Sequence, residues 1–204
     1  MSTTPRNRIY TLVECGILIA LSCVLSLFTI FEMPLGGSIT PASMLPIMII
    51  GIRHGNRWGL GSAFVYSLFQ MLTALVKGNV FPYCQTGGTL VICILFDYLV
   101  PFTILGLAGL FRNHALGKFR HFGVYLGMVA VVFLRFVCHF LTGITIWAQW
   151  ANGAAAVIAY SAAYNSTYLL PDLAICLVLS VLLLETPQMK RIMHLKVDYP
   201  EENA

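Results

Sequence analysis

The sequence predicts an all-α integral membrane protein, a bundle of six transmembrane helices with both termini in the cytoplasm. Only 10% of the 204 residues are charged and 58% are hydrophobic, whereas about 25% of an average soluble domain is charged. The mean hydropathy is +0.82, and apolar runs near the roughly 20 residues that a helix needs to cross a bilayer recur along the chain. We therefore interpret residues 1–204 as a single transmembrane domain.

Six apolar runs account for the predicted helices. The first is longer than a signal-peptide core and no small-residue cleavage site follows it, so we expect it to remain in the protein. The second is short and follows "MPLGGSITP", which indicates a loop or a partly re-entrant segment before the helix. The runs cover residues 10–31, 39–52, 58–76, 88–111, 122–148 and 156–184, and a short cytoplasmic tail follows at 185–204.

The basic residues predict the orientation of the bundle. Nearly all of them fall at the two termini and in the second and fourth connections, which share one side if there are six spans. Lys77 is then alone on the opposite side, and Arg135 lies within the membrane. The positive-inside rule places the basic side in the cytoplasm. The net charge of +4 therefore favours anionic lipid headgroups as partners and argues against nucleic acid.

The sequence lacks the motifs of several catalytic classes. It contains no G-x-x-x-x-G-K-[ST] phosphate loop, no G-x-S-x-G elbow and no H-E-x-x-H metal helix. Five of the six cysteines lie within apolar runs without C-x-x-C spacing and are interpreted as packing residues, whereas Cys84 in the third connection is expected to face an oxidising exterior. We predict no catalytic residue, no metal site and no cofactor.

Four residues of the fifth run lie at intervals of four: Arg135, His139, Gly143 and Trp147. Because four residues make about one helical turn, all of them line one face of one helix. Polar groups are costly inside a bilayer, so this face is predicted to meet a specific partner. Gly143 removes a side chain between His139 and Trp147, where a flat ring is expected to fit.

Asp97, His139 and Asn165 are predicted to lie at one depth. Each is about nine residues from the outer end of its run, which corresponds to about 14 Å at a rise of about 1.5 Å per residue. Three different helices thus bring polar groups to one level below the outer surface. Asp172 lies deeper and follows Pro171, and it is interpreted as a packing or kink feature.

Aromatic residues lie above this polar level, at Trp147, Trp150 and Tyr160. An aromatic lip over a buried carboxylate such as Asp97 suits a small, flat, partly apolar cation. Two structural interpretations remain open. The aromatic residues are also typical of an interfacial belt, and Asp97 with Arg135 is also typical of an ion pair that joins two helices.

Several segments resemble one known family. The segments "RFVCHFLTGITIWAQW" and "AYSAAYN" are similar to the last third of the bacterial thiamine-specific S-component of energy-coupling factor (ECF) transporters. "MPLGGSITPASMLPI" and "RHG" resemble its first extracellular loop and second helix, and "DYLVPFTILGLAGLF" resembles its fourth helix. The resemblance covers most of the chain.

The resemblance implies a multi-pass protein of the bacterial cell membrane that captures thiamine from outside and is not an enzyme. It also implies docking on a module of one transmembrane coupling protein and two ATPases, through small residues of the first helix that fall on Gly16 and Ala20. The family's thiamine-binding positions fall on Asp97, Tyr98, Arg135, His139, Gly143, Trp147, Tyr160 and Asn165.

Two alternative functions are weighed against this one. In a proton-coupled secondary carrier, Asp97, Arg135 and His139 would form a proton relay, although the sequence shows no clear internal repeat of the kind common in such carriers. An intramembrane hydrolase would need a nucleophile or a metal beside His139, and the sequence offers no second histidine or carboxylate within a few turns on that helix.

Overall fold

The computed structural model describes residues 5–33, 36–114, 116, 121–146, 153–184 and 186–192. Most of these residues are helical, and the described residues also include a small antiparallel hairpin and a separate 3-10 turn. The hairpin pairs β1 (Phe31–Glu32) with β2 (Ser38–Ile39), and the 3-10 turn is Phe81–Tyr83. The helices are α1 (Pro5–Leu27), α2 (Leu45–His54), α3 (Asn56–Lys77), α4 (Gly87–Leu107), α5 (Phe122–Ile146), α6 (Ala154–Leu184) and α7 (Pro187–Ile192).

Five helices of the described chain, α1, α3, α4, α5 and α6, are long and apolar enough to cross a membrane. This confirms the predicted class, an all-α membrane protein. The second predicted run, residues 39–52, folds differently along its length, because its first part forms β2 and a turn and only Leu45–His54 is helical. At about 1.5 Å per residue, the ten residues of α2 reach only about half of the hydrocarbon layer.

The short helix α2 lies in the middle of the bundle. Seven of its ten residues are buried, so it serves as a core element and not as a lipid-facing one. At the end opposite the hairpin, α3 and α4 cross in direct backbone contact through Gly59 and Gly106. A methyl group on either glycine would overlap the backbone of the other, so small residues are required at this crossing.

Helix α4 is irregular at its centre. After a regular first part, Ile94–Leu99 forms a π turn, in which the Val100 N–H donates to the carbonyl of Leu95, five residues earlier. Pro101 follows directly, and its missing N–H would leave the Asp97 carbonyl without a partner in a regular α-helix. The wide turn is therefore a response to this proline. Such turns are frequent at functional sites, and this one carries Asp97 and Tyr98.

The hairpin is attached to α6 by one buried and one partly buried contact. Oδ1 of Asp172 accepts hydrogen bonds from the backbone N–H of Thr40, at 3.1 Å, and from its hydroxyl, at 3.0 Å. The Gly37 N–H donates to the hydroxyl of Tyr164 at 3.1 Å. Asp172 thus has the packing role that the sequence predicted for it. The contacts hold the connection between α1 and α2 over one end of the bundle.

Candidate ligand-binding site

A cavity opens at the hairpin end of the bundle, between α3, α4, α5, α6 and the hairpin. Predicted site residues from three helices come together in its walls. Trp147 and Trp150 lie outside the described residues. The predicted residues that line the cavity are Asp97, Tyr98, Arg135, His139, Gly143, Tyr160 and Asn165.

A chain of three polar side chains crosses the floor of the cavity. Oδ1 of Asp97 lies 3.0 Å from Nδ1 of His139, and Nε of Arg135 donates to Nε2 of His139 at 3.2 Å. All three side chains are nearly buried. The direct ion pair between Asp97 and Arg135, which the sequence left open as an alternative, does not form in the structure, because the imidazole lies between the carboxylate and the guanidinium.

The hydrogen bonds define the protonation state of His139. Its Nε2 accepts from a guanidinium that can only donate, so Nε2 carries no hydrogen. Nδ1 then carries the hydrogen and donates it to Oδ1 of Asp97, which leaves the imidazole neutral. Within the described chain, the other carboxylate oxygen of Asp97, Oδ2, accepts no hydrogen bond from the protein, so it is available to a ligand at the cavity surface.

The positive charge of Arg135 is directed into the wall of the cavity. Its Nη1 lies 2.8 Å from the sulfur of Met44, and its guanidinium carbon lies 4.2 Å from the centre of the Phe102 ring. A guanidinium over an aromatic face is a favourable cation–π contact. Because these contacts hold Arg135 away from Asp97, no cationic side chain of the described residues contacts the carboxylate directly.

Three tyrosines of α6 form an aromatic wall. Tyr160 stacks on Tyr164 with ring centres 5.9 Å apart, and Tyr164 meets Tyr168 edge-on at the same distance. Tyr168 in turn packs edge-on against His139, at 6.2 Å. Sequence reasoning selected Tyr160 alone. The spacing of four residues between the three tyrosines, which puts them on one helix face, was the signal for the other two.

Asn165 is almost fully buried and is held by its own helix. Its amide nitrogen donates to the carbonyl of Ser161 at 2.8 Å, and its amide oxygen accepts from the hydroxyl of Tyr168 at 2.8 Å. The amide therefore orients the Tyr168 ring against His139. One amide hydrogen of Asn165 remains for a ligand or for the 3.4 Å contact with the hydroxyl of Ser161.

Gly143 lines the cavity and also lies at a close approach of two helices. A methyl group there would overlap Oγ of Ser161 and would lie 2.9 Å from its Cβ. The position that a side chain at residue 143 would take is thus filled by α6. The glycine lets α5 and α6 cross closely at the cavity wall.

The mouth of the cavity is bordered by an ion pair between two connections. Nζ of Lys77, at the end of α3, lies 3.0 Å from Oε1 of Glu32 in β1. Both side chains are partly exposed and both line the cavity. Beside them, a methyl group on Gly36 would lie 2.7 Å from the side-chain nitrogen of Asn79, so the hairpin packs tightly on the residues that follow α3.

Gly16 and Ala20 are not part of the cavity. Both lie on an exposed face of α1. Among the described residues, no atom lies within 4 Å of the position that a methyl group on Gly16 would take. Neighbouring apolar residues on this helix, including Leu12, Val13 and Ile17, are also exposed. The described residues contain no group of three or more histidine, cysteine or acidic side chains that could hold a metal ion.

A bundle of apolar helices around a half-polar, aromatic cavity defines a membrane-embedded protein that binds a small molecule. Comparison with known proteins specifies the family. Residues 12–191 match the family described as Thiamine transporter protein (Thia_YuaJ), and the chain belongs to this family. The predicted family is therefore confirmed. It is a family of transporters and not of enzymes, and the chain is a multi-pass protein of the plasma membrane.

Two curated relatives and one solved structure are similar to this chain. The thiamine transporter ThiT of Bacillus subtilis is 29% identical over 194 residues, which cover 90% of this chain and 95% of the relative. ThiT of Lacticaseibacillus paracasei is 24% identical over 154 residues, covering 72% of this chain and 73% of the relative. The structure of ThiT from Listeria monocytogenes superposes with a TM-score of 0.67 at 21% identity, covering 89% of this chain and 97% of that one. This last similarity supports the fold.

Proposed function

We propose that this protein binds thiamine in the cavity and is the substrate-binding membrane subunit of an ATP-driven, ECF-type uptake transporter. The observation that carries the proposal is the position of Asp97. Its carboxylate projects from a π turn into an aromatic cavity, accepts a hydrogen bond from His139 and contacts no cationic side chain of the described residues directly. A cationic heteroaromatic ligand would complete this arrangement, because buried carboxylates require a partner of opposite charge.

The proposed contacts follow from the hydrogen bonds already made by the protein. Oδ2 of Asp97 would balance the thiazolium charge or accept from the aminopyrimidine. Both ring nitrogens of His139 are engaged, so the histidine offers its ring face for stacking. Tyr160 and the remaining amide hydrogen of Asn165 would contact the pyrimidine, and Trp147 is predicted to stack from above. No covalent chemistry on thiamine is required.

Thiamine binding in this site is tested by titrating the purified protein in detergent with thiamine. Asp97→Asn keeps the shape of the side chain but removes its charge, so we expect the affinity to fall by about 2 kcal/mol or more, which is roughly thirtyfold in Kd. Isothermal titration calorimetry measures the change directly. Glu14→Gln is the control, because its carboxylate pairs with Arg53 and does not line the cavity. Equal affinities of the wild type and Asp97→Asn would contradict the site.

The proposed coupling to a separate ATPase module rests on two features. The chain carries no phosphate-binding loop of its own. Its first helix leaves a face with Gly16 and Ala20 uncovered, and small residues one turn apart let another helix approach closely. We infer that the coupling protein packs on this face, with both termini of the chain in the cytoplasm and the cavity open to the exterior.

A proton-coupled carrier is the second candidate, and the continuous chain Asp97–His139–Arg135 favours it. Proteoliposomes separate the two functions. Uptake of thiamine driven by a proton gradient, with this chain as the sole protein, would support the carrier. Uptake that requires the coupling protein, the ATPases and ATP would support the ECF-type transporter.

A further inference from the structure

The proposed function does not use the ion pair at the mouth of the cavity. Nζ of Lys77 lies 3.0 Å from Oε1 of Glu32, and both side chains line the same cavity as Asp97. Among the described lining residues, the lysine and arginine side chains are those of Lys77 and Arg135. The guanidinium of Arg135 is directed into the wall. Lys77 is therefore the cation that a ligand at the mouth can reach.

The end of α3 places Lys77 at the mouth. Lys77 is the last residue of this helix, and Gly78 ends it in the left-handed conformation, with φ of +67°. A cation is favoured at this end of a helix by the helix dipole. Thr73 and Gln70, one and two turns earlier on the same face, also line the cavity. The wall formed by α3 is thus a polar stripe that ends in an ammonium group.

The hairpin brings the carboxylate of Glu32 to this ammonium group. Glu32 lies in β1, opposite Ser38 of β2. The hairpin also packs on the residues that follow α3, because a methyl group on Gly36 would lie 2.7 Å from the side-chain nitrogen of Asn79. The backbone around Glu32 is therefore fixed relative to the end of α3, and its side chain occupies the position at Lys77 that a ligand anion would take.

The ion pair can exchange partners. The side chain of Lys77 is 40% exposed and that of Glu32 is 46% exposed, so water screens their attraction and the pair contributes little to stability. A phosphate monoester carries a charge of about −1.5 to −2 at neutral pH and three acceptor oxygens, and it can displace a carboxylate from a lysine. The displaced Glu32 would remain beside the phosphate and repel it. An uncharged hydroxyl group meets no such repulsion.

We propose that Glu32 and Lys77 determine which side arm the cavity accepts, favouring a ligand with a free hydroxyl over its phosphate monoester. This inference rests on the proposed function, with the thiazolium ring at Asp97 and the hydroxyethyl arm of thiamine directed to the mouth. Lys77 attracts a phosphate, and Glu32 opposes it both by occupying Lys77 and by its own charge. The pair therefore sets the preference between thiamine and thiamine monophosphate.

The proposal is tested by measuring the Kd of thiamine and of thiamine monophosphate on the purified full chain in detergent, the latter by competition against labelled thiamine. The readout is the ratio of the monophosphate Kd to the thiamine Kd. Glu32→Gln frees Lys77 and removes the repelling charge, so we expect the ratio to fall by about tenfold or more. Lys77→Gln removes the attracting charge and leaves Glu32 unpaired, so the ratio should rise by about threefold or more.

Glu14→Gln is the matched control, because it removes a carboxylate that pairs with Arg53 outside the cavity. Its ratio should equal that of the wild type. The fall in Glu32→Gln should also shrink at high salt, because salt screens exposed charges. Since each ratio compares two ligands on one variant, a partial loss of folded protein does not imitate either shift.

Two kinds of failure are distinguishable. If the wild type binds neither compound, the proposed function is wrong. If the wild type binds thiamine but the ratio is the same in Glu32→Gln and Lys77→Gln, the proposed function stands and the role of the ion pair is wrong. A ratio that falls in Lys77→Gln, or that shifts equally in Glu14→Gln, would also overturn this role.

Discussion

His139 organises the centre of the cavity through both of its ring nitrogens. It donates to the carboxylate of Asp97 and accepts from the guanidinium of Arg135, so each charged group is held in place without contacting the other. A direct ion pair would have satisfied Asp97 internally. With an imidazole as the partner of Oδ1, the carboxylate keeps Oδ2 at the cavity surface, where a cation can reach it.

The hydroxyl of Tyr168 is predicted to contribute to binding without touching the ligand. Tyr168→Phe removes its 2.8 Å hydrogen bond to Asn165, so that both the amide and the ring edge against His139 lose their fixed orientation. We expect thiamine affinity to fall by about 1 kcal/mol, roughly fivefold in Kd, as measured by calorimetry. Thr167→Val removes a hydroxyl from the exposed side of the same helix and should change nothing. A Tyr168→Phe protein with wild-type affinity would contradict the role.

The π turn of α4 gives this helix its functional face. An additional residue in one turn rotates everything before it relative to everything after it, by about 100° per residue. Asp97 and Tyr98 lie within this turn, so their direction depends on it. The turn adjoins Pro101, whose missing N–H makes a regular helix unfavourable here.

Pro101→Ala is predicted to weaken thiamine binding without destabilising α4. The new N–H can bond the carbonyl of Asp97, so the helix can become regular and turn the carboxylate away from the cavity. We expect thiamine affinity to fall at least tenfold, while the midpoint of thermal unfolding stays the same or rises. Calorimetry and a thermal melt in detergent measure the two effects. Pro171→Ala on α6 is the matched control, and unchanged binding in Pro101→Ala would disprove the link.

The crossing of α5 and α6 depends on Gly143 and Ser161 as a pair. Gly143→Ala would drive its methyl group into Oγ of Ser161, whose hydroxyl is already held by the carbonyl of Phe140 at 3.0 Å. We expect destabilisation by about 1–3 kcal/mol, the usual cost of overpacking, seen as a lower unfolding midpoint. Adding Ser161→Gly makes room for the methyl group and should recover part of the loss. A double variant no more stable than Gly143→Ala would show that the clash is not the cause.

The sequence was sufficient to predict the features that follow from helical periodicity and from the free-energy cost of polar groups in a bilayer. Spacing by four placed Arg135 and His139 on one face, and the expense of burying polar groups singled out Asp97. The order of contacts was not predictable, because which of two basic side chains reaches a carboxylate depends on ångström-scale helix positions. The close approach of α6 to Gly143 was not predictable for the same reason. An empty position in one helix has no meaning until the neighbouring helix is known.

Across the molecule, polar groups gather at the cavity and apolar groups cover the outer face of α1, so the two regions suit different partners. The cavity end gathers the carboxylate, the imidazole and the tyrosines, whereas α1 leaves a long apolar face without a protein neighbour among the described residues. Lipid alone would cover such a face. Small residues at Gly16 and Ala20 add a shallow groove, which suits a second helix better than lipid chains.

Filling this groove with larger side chains is predicted to stop transport while leaving thiamine binding intact. Gly16→Leu with Ala20→Leu adds bulk where the described chain has no neighbour, so the bundle and the cavity should be undisturbed and thiamine Kd should stay within about twofold of wild type. A partner helix, however, could no longer approach closely, and ATP-dependent uptake in proteoliposomes with the complete transporter should fall by at least tenfold. Gly61→Leu on α3 is the matched control, because a side chain there also meets no atom within 4 Å. Normal uptake by the α1 double variant, or equal loss in Gly61→Leu, would assign the partner surface to another part of the molecule.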